Sequence, residues 1–195
     1  MTTINGFGYP NSHRRPTRAR WKSVLFLVAL LATAAAAVQL ALRSGVKRDG
    51  EPIPEFSLPP VKGRAHGLSR SDLKGSPSLV NVFTSWCGAC WEERPVINAI
   101  AASQAIPVYG LNYRDDPDDA ARWLAEEGDP YKRTGADTTG SVTAKLGVRV
   151  LPETLLISAE GRILRRHRGP MTDAVFKVEF LALIEQALGR PETRK

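Results

Sequence analysis

The run Leu79-Val80-Asn81-Val82-Phe83 is followed, after Thr84-Ser85, by Trp86-Cys87-Gly88-Ala89-Cys90, which holds the chain's only two cysteines. The apolar run reads as a buried strand, and the segment from Trp91 to about Ser103 can be helical. A thiol pair where a strand hands over to a helix constrains both the local fold and the chemistry. A helix N-terminus offers unpaired N–H groups and partial positive charge, which favour a thiolate at the first cysteine. The two-residue spacer lets the second cysteine attack a mixed disulfide made by the first. Reversible dithiol/disulfide chemistry at Cys87 and Cys90 is therefore the favoured reading. Half of a zinc site is a poorer one, because the only histidines are His13, His66 and His167. A purely structural disulfide would close so short a loop that it would constrain the unfolded chain little.

Charge divides the chain. Its formal net charge is +7, yet residues 1 to 48 carry eight Lys or Arg and no acid, leaving 19 basic and 20 acidic residues for 49 to 195. The remainder has no basic excess, so nucleic acid is not an expected partner. Val24 to Leu42 are 19 uncharged residues, roughly 28 Å as a helix and close to the hydrocarbon thickness of a bilayer. Arg14, Arg15, Arg18, Arg20 and Lys22 precede this run, so the positive-inside rule keeps residues 1–23 in the cytoplasm and sends the rest across. The expectation is a single-pass anchor at 24–42 in the inner (cytoplasmic) membrane, with the catalytic domain in the periplasm. A cleaved signal peptide, processed near Ala34 to Ala37, is the alternative. Either way the dithiol meets an oxidising compartment.

A polar connector, 43–53, leads to one domain at 54–190. Strands are expected at Phe56 to Leu58, Leu79 to Thr84, Ile106 to Tyr113, Thr154 to Ser158 and Ile163 to His167. Helices are expected at Cys87 to Ser103 with a bend at Pro95, Pro117 to Glu127, and Ser141 to Leu146 closed by Gly147. A last helix opens at Asp173. The pattern predicts an α/β fold with a mixed central sheet flanked by helices. With a dithiol after the central strand, this architecture looks like thioredoxin.

Further segments carry a closer likeness. Pro54-Glu55-Phe56-Ser57-Leu58, Leu79 to Cys90, Leu111-Asn112-Tyr113-Arg114-Asp115-Asp116, Trp123-Leu124, Gly128-Asp129-Pro130-Tyr131, and Leu146-Gly147-Val148 through Pro152-Glu153-Thr154 occur in that order. Together they resemble the membrane-anchored thiol:disulfide interchange proteins of cytochrome c maturation, the DsbE or CcmG family. The resemblance implies Cys87 as nucleophile, Cys90 as resolving thiol and Pro152 as a cis-proline facing the dithiol. It implies no metal or organic cofactor beyond the redox-active Cys87–Cys90 pair. The implied partners are apocytochrome c or maturation thiol proteins, with a membrane dithiol as electron donor. Glu93 and Glu153 stand where acids could tune the thiols, against the alternatives of a solvated helix acid and an exposed charge at a strand start. Trp86 is expected to pack over the rim of the site and govern access.

Two departures stand out: Val150 replaces a frequent glycine two before the cis-proline, and Gly88-Ala89 lacks a proline common between the cysteines. Asp115, Asp116, Asp118 and Asp119 read as helix capping rather than a cation site. Arg162, Arg165, Arg166 and Arg168 read as the solvated face of a strand, with a partner or membrane contact as the alternative. Rival functions are another exported thioredoxin-like reductase, a dithiol oxidase, or a noncatalytic chaperone for apocytochrome.

Overall fold

A computed structural model describes residues 28–29, 31–32, 50–126 and 128–189. The chain divides into two units, Met1–Gly45 and Val46–Lys195. In the first, Val28, Ala29, Leu31 and Ala32 are helical; the rest of the expected anchor at 24–42 lies outside the described residues. Among the described residues no helix is long and apolar enough to cross a membrane.

In the second unit β1 (Ser57–Leu58) and β2 (Leu68–Ser69) form a small antiparallel ribbon. The main sheet contains β3 (Ser78–Phe83), β4 (Val108–Tyr113), β5 (Thr134–Asp137), β6 (Glu153–Ile157) and β7 (Ile163–Arg168). Its order is β5-β4-β3-β6-β7, with β3 parallel to β4, β4 parallel to β5, and the β3–β6 and β6–β7 pairs antiparallel. The mixed α/β architecture expected from the pattern is the one observed. β3 lies at the centre and is buried at all six positions, which is why its sequence runs apolar instead of alternating.

Side chains alternate across the sheet and create two cores. On one face Leu79, Phe83 and Leu156 cluster with Ile97 and Ile100 of α1 (Gly88–Ala102), Trp123 of α2 (Pro117–Glu126), and Phe180 and Ile184 near the C-terminal end. On the other, Val80, Val82 and Leu155 cluster with Ile53, Leu68, Leu73, and Val142 and Leu146 of α3 (Ser141–Leu146). Gly147 closes α3 in the left-handed conformation at φ 76°, as expected.

Three expectations need correction. β5 was not foreseen, because Thr134-Gly135-Ala136-Asp137 has no apolar run and owes its extended form to pairing with β4. The strand expected from Ile106 starts at Val108, since Pro107 has no N–H to contribute to a ladder. The last helix is not uniform: α4 (Asp173–Val175) passes into a π-helical segment (Phe176–Phe180) and then α5 (Leu181–Ala187). Helix α1 is continuous through Pro95.

Candidate active site

Cys87 is the N-cap of α1, extended at φ −97°, and its sulfur accepts a hydrogen bond from the Cys90 amide at 3.3 Å. The first thiol therefore sits at the helix N-terminus, half-buried, while Cys90 is only 1% exposed; both are free thiols. The loop before them is held from the segment that follows β4. Asp115 accepts from the Ser85 amide and hydroxyl, both at 2.6 Å, and from Asn112 Nδ2 at 2.7 Å. Trp91 Nε1 donates to the Ser85 carbonyl at 2.8 Å. Trp86 is 63% exposed, its Nε1 donating to the Arg114 carbonyl at 3.3 Å, so it stands over the rim rather than filling a core.

Beneath the dithiol lies a buried polar network. Glu93, one turn beyond Cys90 on α1, is 2% exposed and so is not a solvated helix acid. Its Oε1 accepts from Asn81 Nδ2 at 2.7 Å and its Oε2 from the Met171 amide at 2.7 Å. Asn81 also donates to Thr154 Oγ1 at 3.1 Å and accepts from the Tyr131 hydroxyl at 2.6 Å. Gly110 makes room for that tyrosine: a Cβ there would lie 2.8 Å from the Tyr131 ring. Burial pushes the Glu93 carboxyl up to about 7, against the lowering influence of its two donors. Burial also raises the Cys90 thiol, reinforced by its hydrogen bond with Cys87 and by the nearby charges of Cys87 and Glu93. Tyr131 is raised well above its ordinary value, first by burial and then by Glu93, Asp129 and Cys90.

The Leu151–Pro152 bond is cis. Val150 and Leu151, just before it, line a groove of about 470 Å³ that also contains Trp86, Cys87, Arg114 and Arg149. Val150 is 45% exposed, so the position where glycine is frequent carries an apolar surface here. The structure thus brings Trp86, Cys87 and the segment before Pro152 to one groove, with Cys90 and Glu93 on the buried face of the helix that Cys87 caps.

Glu153 does not join them. It is 0% exposed and pairs with Arg166, so it is neither a client-contacting surface nor the exposed charge at a strand start. Its neighbour Thr154 points to the Asn81–Glu93 side, which sends Glu153 to the opposite face. The expectation of a solvated arginine face fails at Arg166 for the same reason: its side chain is 4% exposed because it meets that carboxylate. Of the acids after β4 Asp116 is a cap, accepting from the amides of Asp118 and Asp119, while Asp118 pairs with Lys62 and Asp119 with Arg122. Asp115 adds a role not foreseen, fixing the dithiol loop. Sequence reasoning also missed Asn81, Tyr131 and Arg166. For Asn81 a signal was present: it is the one polar residue inside the apolar run of the central strand.

Comparison with known proteins is consistent with this geometry. The Redoxin family model matches residues 48–180. The thiol:disulfide interchange protein DsbE of Pseudomonas aeruginosa is 39% identical over 145 residues, covering 74% of this chain and 80% of the relative. The thiol:disulfide interchange protein CycY of Rhizobium leguminosarum bv. viciae is 39% identical over 124 residues, covering 64% and 67%. A crystal structure described as a DsbE of Chlorobium tepidum superposes with a TM-score of 0.59 at 27% identity, covering 73% of this chain and 96% of that one.

Proposed function

This chain belongs to the Redoxin family and, within it, to the DsbE-type thiol:disulfide interchange proteins, and on that premise we propose that it is a protein-disulfide reductase for haem attachment. The observation that carries the dithiol exchange is the asymmetry of the two thiols, while the direction, towards reduction, rests on the family likeness. Cys87 opens on a groove, whereas Cys90 is buried over an acid with a pKa of about 7.

The steps balance as follows. The Cys87 thiolate attacks one sulfur of a client disulfide, forming a mixed disulfide and releasing the client's other sulfur as a thiolate. Cys90 then gives up its proton, with the Glu93 carboxylate as the buried acceptor. The Cys90 thiolate attacks the Cys87 sulfur, which breaks the mixed disulfide and frees the second client thiolate. Two electrons have passed to the client, and the protein is left with the Cys87–Cys90 disulfide. A membrane dithiol restores it by the reverse exchange. The client is apocytochrome c, whose Cys-X-X-Cys-His haem site must be a dithiol before attachment, or a maturation protein carrying those electrons. The likeness of the Asn112 to Asp116 and Pro152 to Thr154 segments to the cytochrome c maturation family supports this choice. No cofactor enters these steps.

The basic residues before Val24 and the uncharged run to Leu42 support a retained anchor at 24–42, with 43–53 as linker and 54–190 working in the periplasm. The test is the reduction potential of Cys87–Cys90, equilibrated against dithiothreitol or glutathione. A value near about −270 mV fits a reductant, whereas one near about −120 mV would make the protein a dithiol oxidase.

A further inference from the structure

Helix α3 has six residues, too few to hold a helical form by themselves, yet Thr143 and Ala144 wall the groove that contains Cys87. Buried charged groups fix both of its ends. At the N-terminal end Asp137, 1% exposed at the end of β5, accepts from the Thr143 amide at 2.8 Å and its hydroxyl at 2.7 Å. At the C-terminal end the Leu146 carbonyl accepts from Arg166 Nη2 at 2.8 Å. The other arm of that guanidinium, Nη1, meets Glu153 Oε1. Glu153 Oε2 accepts from the Arg149 amide at 3.5 Å and lies 3.7 Å from Arg168 Nε. One carboxylate and one guanidinium therefore bracket 146–153 at its start, its middle and its end. Between these points Val150 and Leu151 line the groove.

A buried ion pair is a weak source of net stability, because desolvation offsets the attraction. What a planar guanidinium fork supplies is fixed geometry, holding two oxygens at set distances. We propose that Glu153 and Arg166 are positioning residues: they set where the groove wall stands, and so where an extended client segment lies relative to Cys87. They act on the client's placement and not on the electrons of the dithiol. This rests on the reading of the groove as the client's seat.

The experiment compares the full chain with the double variant Glu153→Met/Arg166→Met, which removes both charges and leaves neither unpaired. Three quantities are measured: kinetics with an extended peptide closed by a Cys-X-X-Cys-His disulfide, the rate with oxidised glutathione, and the reduction potential. The expected result is a fall of about tenfold to hundredfold in kcat/KM for the peptide, carried by KM. The glutathione rate and the potential stay at the wild-type values, and the amides of 147–151 exchange hydrogen faster. Unchanged peptide kinetics would overturn the proposal, as would a shifted potential, which would make the pair a tuning device. Should the double variant not fold, Glu153→Gln serves instead: faster exchange at 147–151 supports the tether and unchanged exchange overturns it. A wild-type chain that leaves the peptide oxidised would sink the client reading, and the exchange of 147–151 would then decide the tether alone.

Discussion

Two buried glutamates flank the core of this sheet, one on each side, and their surroundings differ in kind. Glu153 at the start of β6 meets Arg166 and has Arg168 at 3.7 Å. Glu93 on α1 meets two uncharged donors, the Asn81 amide group and the Met171 N–H. The arginine next to it in sequence turns elsewhere: the Arg94 guanidinium lies 4.0 Å from the Trp123 ring centroid and donates to the Gly128 carbonyl at 2.9 Å. A carboxylate with a cation fixed against it serves as a strut. One that is buried with only neutral donors is pushed up by desolvation towards neutrality, as the proposed proton transfer from Cys90 requires.

The comparison can be broken first on the paired side. Arg166→Met alone leaves the Glu153 carboxylate buried without its partner, and the expected loss is about 3–5 kcal/mol by denaturant unfolding. A loss below about 1 kcal/mol would mean that Glu153 is not held as a buried ion. On the unpaired side the signature is pH. Glu93 has a folded pKa of about 7 against an ordinary 4.5, so the folded chain binds more protons than the unfolded chain between those values. Its contribution to stability is fully present below pH 4.5 and is lost as pH rises through 7, amounting to about 3 kcal/mol. Glu93→Gln should remove that slope, and an unchanged slope would assign it to another group.

Smaller effects sharpen the picture. Gly110→Ala drives a methyl group against the Tyr131 ring, and the expected cost is about 1–3 kcal/mol with a weakened Tyr131–Asn81 hydrogen bond. Wild-type stability in that variant would show that the ring has room to give. Trp86→Ala should change stability by no more than about 0.5 kcal/mol, because the side chain stands in solvent. Its effect should appear in client kinetics instead, and a large drop in Tm would mean that Trp86 packs as a structural residue.

The central strand, the dithiol and the helix after it were legible in sequence because they depend on local pattern: an apolar run, a thiol pair, a helix start. The last helix was legible in place but not in form, since nothing in Phe176–Phe180 announces a π-helical turn. β5 was hidden because its pairing with β4 and not its own residues makes it a strand. Glu93 and Glu153 looked alike as acids near motif positions, and sequence could not separate them. Their difference is set by Arg166, which lies 13 residues from Glu153 in the chain, and by the Met171 amide, 78 residues from Glu93. Both partners arrive only when β7 and the segment after it are in place.

The most direct measurement is a pH titration of the Glu93 side-chain carboxyl carbon by NMR, with Cys87 and Cys90 reduced. The expected midpoint is near 7. A midpoint at the ordinary 4.5 would mean that Glu93 is stably ionised at neutral pH and not poised to exchange a proton with Cys90, and the contrast between the two glutamates would fall with it.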